Sequence, residues 1–203
     1  MGSKVEEMLH ASIRAFEQRD EELARSTVAM EAEVDGLEVD IDERCLRLLA
    51  LRSPVASDLR FITTTLKLVT DLERMGDLTA NISERTSELC HQPPVEVPPD
   101  LPEMAQTTCI MLRDCLDAFV TRDADKARQV MERDSLVDAA YARTFPALNQ
   151  QMMMDPDNTQ RVLSVGRYLE RIADHTTNIA EMVVFMVEGK DVRHSHQLAV
   201  GSD

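Results

Sequence analysis

Val162, Val165, Leu169, Ile172, Thr176, Ile179, Val183 and Met186 follow one another at spacings of three and four residues. That is the period of a helix with one buried stripe, packed against its neighbours as in a coiled-coil-like bundle. Leu68, Leu72, Met75, Thr79, Ile82 and Leu89 repeat the stripe earlier in the chain, with Thr65 and Thr86 weakening it at its two ends.

Punctuation around these stripes predicts three helices in each half. The first runs to about Arg19, and Asp20 then serves as N-cap of a second helix that reaches about Arg52. Ser53-Pro54 supplies an N-cap with proline at the first helical position, and the third helix continues to about Cys90. Asp123 and Asp155-Pro156 repeat these start signals in the second half, and Gly189 ends the last helix. Pro146 predicts a kink or break in the fifth helix, because proline has no N–H to give to the ladder.

The repetition extends to the residues themselves. Ala15-Phe16, Arg19-Asp20 and Ala24-Arg25 recur as Ala118-Phe119, Arg122-Asp123 and Ala127-Arg128, a shift of 103 positions. Leu72-Glu73-Arg74, Asp77, Asn81-Ile82 and Glu84 recur as Leu169-Glu170-Arg171, Asp174, Asn178-Ile179 and Glu181, a shift of 97. Two matches in the same order describe a duplicated unit too long for a solenoid repeat and suited to a pair of small bundles. The expected fold is all-α, two tandem three-helix bundles. Residues 1–91 form the first bundle, the proline-rich stretch 92–102 the linker, 103–191 the second bundle and 192–203 a tail.

Composition agrees with helix and narrows the partners. The chain has 203 residues with 6 Gly, 2 Tyr, 5 Phe and no Trp, against many Leu, Met, Ala, Glu and Arg, a balance that favours helix formers over the residues that fill strands. Its formal charge of −15 opposes the phosphate backbone, so no nucleic acid is expected as partner. Neither a spanning apolar run nor a signal peptide is present, which predicts a cytoplasmic protein without direct membrane insertion. Cys45, Cys90, Cys109 and Cys115 include no CxxC and read as small hydrophobes or idle thiols of a reducing compartment.

Glu73 and Asp77 stand four apart, as do Glu170 and Asp174, so each pair shares a helix face with β-carbons about 6 Å apart. The preceding helix of each half carries a second pair, Glu31 with Asp35 and Asp134 with Asp138, related by the same shift of 103. One such pair alone is an ordinary solvated face, here partly neutralised by Arg74 or Arg171. Four pairs in duplicate register bring like charges together from two helices and call for a cation. Oxygen ligands suit magnesium, calcium, manganese or iron. A carboxylate bundle also raises an enzyme reading, the di-iron oxidases, but their Glu-x-x-His spacing does not occur at these positions. His175 points about 100° away from Asp174, and His194 and His196 lie in the expected tail. No glycine-rich phosphate loop, nucleophile elbow or HExxH is present, so no catalytic residue and no enzyme is expected.

Leu49 to Arg60 (LALRSPVASDLR), Asp71 to Asp77 (DLERMGD), Leu169 to His175 with Asn178 to Glu181, and Gly189 to His194 (GKDVRH) together resemble the PhoU family over essentially the whole chain. The resemblance implies two tandem three-helix bundles and multinuclear metal, iron foremost, with zinc or another divalent ion as alternatives. Its ligands would be Glu31, Asp35, Glu73, Asp77, Asp134, Asp138, Glu170 and Asp174. It further implies a negative regulator of the phosphate-starvation response and of phosphate uptake. Such a regulator would link the ATPase component of the phosphate-specific ABC transporter to the phosphate-sensing histidine kinase, and would reach the inner membrane through these partners. A homodimer is compatible with this, and a metal-storing or metal-oxidising bundle is the alternative. The family usually has a longer first helix before the segment around Met8-Leu9-His10.

Overall fold

The computed structural model describes residues 1–190 and 192, and among these every regular element is an α-helix. There are seven rather than the six expected: α1 (Gly2–Gln18), α2 (Glu21–Ala29), α3 (Glu31–Arg52), α4 (Ala56–Cys90), α5 (Asp100–Thr121), α6 (Ala124–Gln151) and α7 (Pro156–Glu188). The helix-free segment between the halves is 91–99, so the last part of the expected linker, Asp100 to Pro102, already belongs to α5. The expected tail, with His194 and His196, lies outside the described residues apart from Val192.

The duplicated AFxxRD segment builds the same corner twice. Arg19 and Arg122 both adopt the left-handed conformation (φ 53° and 56°) as C-caps, and their N–H groups face the carbonyls of Ala15 and Phe16, and of Ala118 and Phe119. Glycine ordinarily fills such a position. Arginine is used here for its side chain: Arg19 donates to the carbonyls of Leu89 and Gln92, and Arg122 lies over the Phe61 ring at 5.4 Å. The aspartates that follow cap the next helices, Asp20 accepting from Leu23 N at 3.0 Å and Asp123 from Asp125 N and Lys126 N.

Three boundaries differ from the sequence reading. The single helix expected from Asp20 to Arg52 is divided at Met30. Ser26 and Thr27 both donate their hydroxyls to the Leu23 carbonyl, a back-bonding that loosens and bends a helix, and the second half has Gln129 and Val130 there instead. Ser53 does not cap α4. It ends α3 in the left-handed conformation, and α4 starts at Ala56 without a side-chain cap. Pro146 does not break α6, since the carbonyl it deprives belongs to Ala142 on an exposed stretch where water can replace the bond.

Each half packs its long last helix against the others of its own bundle, and α4 and α7 then pack on one another. They run antiparallel: Arg60 Nε donates to the Met186 carbonyl, Asp71 meets His175, and Glu88 pairs with Arg161 at 2.7 Å. Every residue of the stripe from Val162 to Met186 is buried, as are Leu68, Leu72, Met75, Thr79, Ile82 and Leu89, so the two bundles share one hydrophobic core. Phe61 and Phe119 stack at 5.7 Å across the same interface. All four cysteines are free thiols, three of them buried, and Cys115 donates its S–H to the Thr176 carbonyl.

Candidate metal centres

The acidic pairs project from α3 and α4 in the first half and from α6 and α7 in the second. Close approach of α3 to α4 depends on Gly76, where an added Cβ would stand 3.3 Å from Val34 Cγ1. Asp35, Glu73 and Asp77 each offer an oxygen within 4.8 Å of the other two. Two ligands of one ion with bonds of about 2.0 to 2.6 Å can stand no farther apart than about 5 Å, so the trio fits a hard cation. Glu31 adjoins Asp77, whose charge acts on it, but it stands outside the trio of Asp35, Glu73 and Asp77.

The electrostatics match uncompensated negative charge. Burial raises the pKa of Glu31 and of Glu73, and the neighbouring charge of Asp77 raises both further. Arg74 opposes this in part, with Nε 3.4 Å from Glu73 and a terminal nitrogen 3.2 Å from Asp77, although its side chain remains 57% exposed.

Asp134, Asp138, Glu170 and Asp174 also form one electrostatic group. Burial, then Asp138 and Asp174, push the Asp134 carboxyl up to about 6. Glu170 and Asp174 are raised too, first by burial and then by each other's neighbours, Asp174 and Asp138 for the former and Asp138 for the latter. Asp134 Oδ1 is buried without a hydrogen-bond partner, and Thr177, close enough to lower its pKa somewhat, completes no such bond. A buried carboxylate oxygen with no hydrogen-bond partner has a lone pair free to serve as a cation ligand. Among the described residues, only the first-half trio draws three ligand oxygens within 4.8 Å.

Glu38 and Asp42 were missed in the sequence. Glu38 is raised by burial and then by Asp42 and Asp35, and an Asp42 oxygen is buried without a partner. Glu31, Asp35, Glu38 and Asp42 make one stripe at spacings of four, three and four. The signal was there, but duplication hid it: the shift of 103 places Tyr141 and Phe145 opposite Glu38 and Asp42.

A PhoU domain model matches residues 1–86 and again 101–183. The chain is 40% identical over 200 residues to a phosphate-specific transport system accessory protein PhoU homolog of Pseudomonas putida, covering 96% of this chain and 77% of that protein. Against the phosphate-specific transport system accessory protein PhoU of Escherichia coli (strain K12) the identity is 36%, over 96% of this chain and 82% of the relative. The crystal structure of PhoU from Pseudomonas aeruginosa superposes with a TM-score of 0.88 at 36% identity, covering 94% of this chain and 93% of that one. The phosphate transport system regulatory protein PhoU from Streptococcus pneumoniae gives 0.87 at 30% identity, over 94% and 91%.

Proposed function

This chain belongs to the PhoU family, and from that membership we propose that it is a negative regulator of the phosphate-starvation response and of phosphate uptake. It would join the ATPase component of the phosphate ABC transporter to the phosphate-sensing histidine kinase, on the cytoplasmic face of the inner membrane. The names of its relatives, accessory and regulatory proteins of phosphate transport, support the coarser part of this reading. No helix among the described residues is long and apolar enough to cross a membrane, which suits attachment through partners.

The observation that carries the metal part is the gathering of Asp35, Glu73 and Asp77 within 4.8 Å. Together with Glu31 they would hold iron, or zinc or another divalent ion, and Asp134, Asp138, Glu170 and Asp174 would do so in the second half. A bound cation supplies positive charge that joins α3 to α4 and α6 to α7. The carboxylates position and neutralise, and no turnover is proposed for them. Against the metal-oxidising alternative stands His175, whose Nδ1 is engaged by Asp71 of the other half.

Binding of the purified chain to the isolated transporter ATPase and to the cytoplasmic part of the kinase tests the adaptor. Specific complexes with both are expected. Consumption of oxygen with turnover on adding ferrous iron, without binding to either protein, would replace the adaptor by the oxidase.

A further inference from the structure

Charge divides α3 sharply in two. Glu31 to Glu43 contains seven carboxylates and no base, whereas Arg44 to Arg52 contains three arginines and no acid. Beyond the connection, Asp58 and Arg60 bring the α3–α4 tip, residues 44–60, to four arginines against one carboxylate, a local charge of +3 in a chain of −15.

This basic tip is also where apolar surface is left uncovered. Leu46, Leu51 and Val55 are 59%, 69% and 74% exposed, and Leu48 and Leu59 are exposed as well. Cys45 is the only residue from 44 to 60 that is buried. Five large apolar side chains exposed within 14 positions, with arginines interspersed among them, are a candidate interaction site. The hairpin connection carries Ser53-Pro54-Val55 at its apex, with Arg47 and Arg52 on the last two turns of α3.

We propose that the α3–α4 tip adsorbs to an anionic lipid surface, with Leu51 and Val55 entering the headgroup boundary and Arg47 and Arg52 meeting lipid phosphates. The chemistry matches an interfacial anchor: apolar side chains gain by leaving water, and each arginine near an anionic membrane is drawn to its phosphates. Charge also selects the orientation. Glu43, the last residue of the acidic stretch, is eight residues from Leu51, about 12 Å along a helix, which exceeds the screening length of about 8 Å at physiological salt. The acidic body is therefore screened from a membrane that the tip touches, and repelled from one approached any other way. Such adsorption needs no spanning helix and adds a direct contact to whatever attachment the partners provide.

Protein-free vesicles test this independently of the adaptor reading. The full chain is sedimented with vesicles of phosphatidylglycerol and phosphatidylcholine or of phosphatidylcholine alone, with chelator present so that no cation bridges the acidic body to lipid. Binding is expected on the anionic vesicles, weakening with salt, with at least a tenfold loss on phosphatidylcholine. The exposed double substitution Leu51→Glu with Val55→Glu is expected to lower binding at least tenfold, and Arg47→Ala with Arg52→Ala several-fold. Met153→Glu with Met154→Glu, at the exposed turn after α6, is expected to change nothing. The proposal is overturned if the wild type stays in the supernatant with anionic vesicles at low salt, or if the tip variants bind as it does. It is equally overturned if wild type ignores vesicles while the tip variants alter self-association or transporter binding, which would assign the tip to a protein.

Discussion

His175 of α7 and Asp71 of α4 meet at 2.7 Å between Nδ1 and Oδ1, joining the second bundle to the first. Both side chains are about four-fifths buried (20% and 19% exposed), so the bond is poorly replaced by water. Asp71→Ala is expected to lower stability by about 1 to 3 kcal/mol, the range for losing a buried partner of a charged hydrogen bond. Urea unfolding measures it, and an unchanged midpoint would show that the pair does not hold the halves together.

Arg19→Gly sets two effects against each other. Glycine relieves the left-handed backbone of about 1 kcal/mol, but removes a guanidinium that donates to two carbonyls, each worth about 1.5 to 3 kcal/mol. Net destabilisation by about 2 to 5 kcal/mol is expected. At Arg122 the exposed cation–π contact with Phe61 contributes about 0.5 to 1 kcal/mol, less than the two bonds of Arg19, so Arg122→Gly should be closer to neutral. Parallel thermal melts of the two variants would expose an error if their order were reversed.

Stability of the metal-free protein should rise on mild acidification. An aspartate of the unfolded chain keeps its proton only below about 3.8, whereas folded Asp134 keeps it up to about 6. Between these values the folded state binds the extra proton, so stability increases as the pH falls from about 6 towards 3.8. Glu31, Glu73, Glu170 and Asp174, all raised, act in the same direction. Asp114 acts oppositely but only in stronger acid: burial raises it, and Arg133 and Lys126 bring it below its ordinary value. Melting in chelator should therefore be higher at about pH 5 than at about pH 7. Asp134→Asn should flatten that difference, and an unchanged slope would remove Asp134 from the account.

Neutralising the tighter cluster should separate charge repulsion from metal binding. Glu73→Gln with Asp77→Asn keeps side-chain size and removes two of the three gathered ligands. In chelator the variant should melt above wild type, since like charges at this spacing repel by a few tenths of a kcal/mol or more. With added divalent metal the order should reverse, because an ion that binds only the fold stabilises it by mass action. The second-half substitutions Glu170→Gln and Asp174→Asn should behave alike. Elemental analysis of protein purified without chelator should show less metal in either variant, and equal content would count against the ligand assignment.

Much of this was legible in the sequence, for identifiable reasons. The stripes of α4 and α7 appeared because their period is long and regular, and Asp20, Asp123 and Asp155 appeared because a capping aspartate needs only local geometry. The break at Met30 escaped because no glycine or proline marks it; it comes from two hydroxyls sharing one carbonyl. Ser53 misled because its serine–proline pair matches Asp155-Pro156 in type, while its backbone is already spent on ending α3. In the acidic groups, duplication disclosed the four pairs and concealed Glu38 and Asp42. The bond between Asp71 and His175 has no duplicate, Tyr168 and Leu78 standing at the equivalent positions, so no internal comparison could reveal it.

Regulation itself is tested most directly in cells that lack their own PhoU protein and carry a reporter of the phosphate-starvation response. Wild-type chain, expressed to normal levels, is expected to silence the reporter in high phosphate and to release it on starvation. A reporter that stays on in high phosphate, with the chain well expressed and folded, would contradict the proposed function.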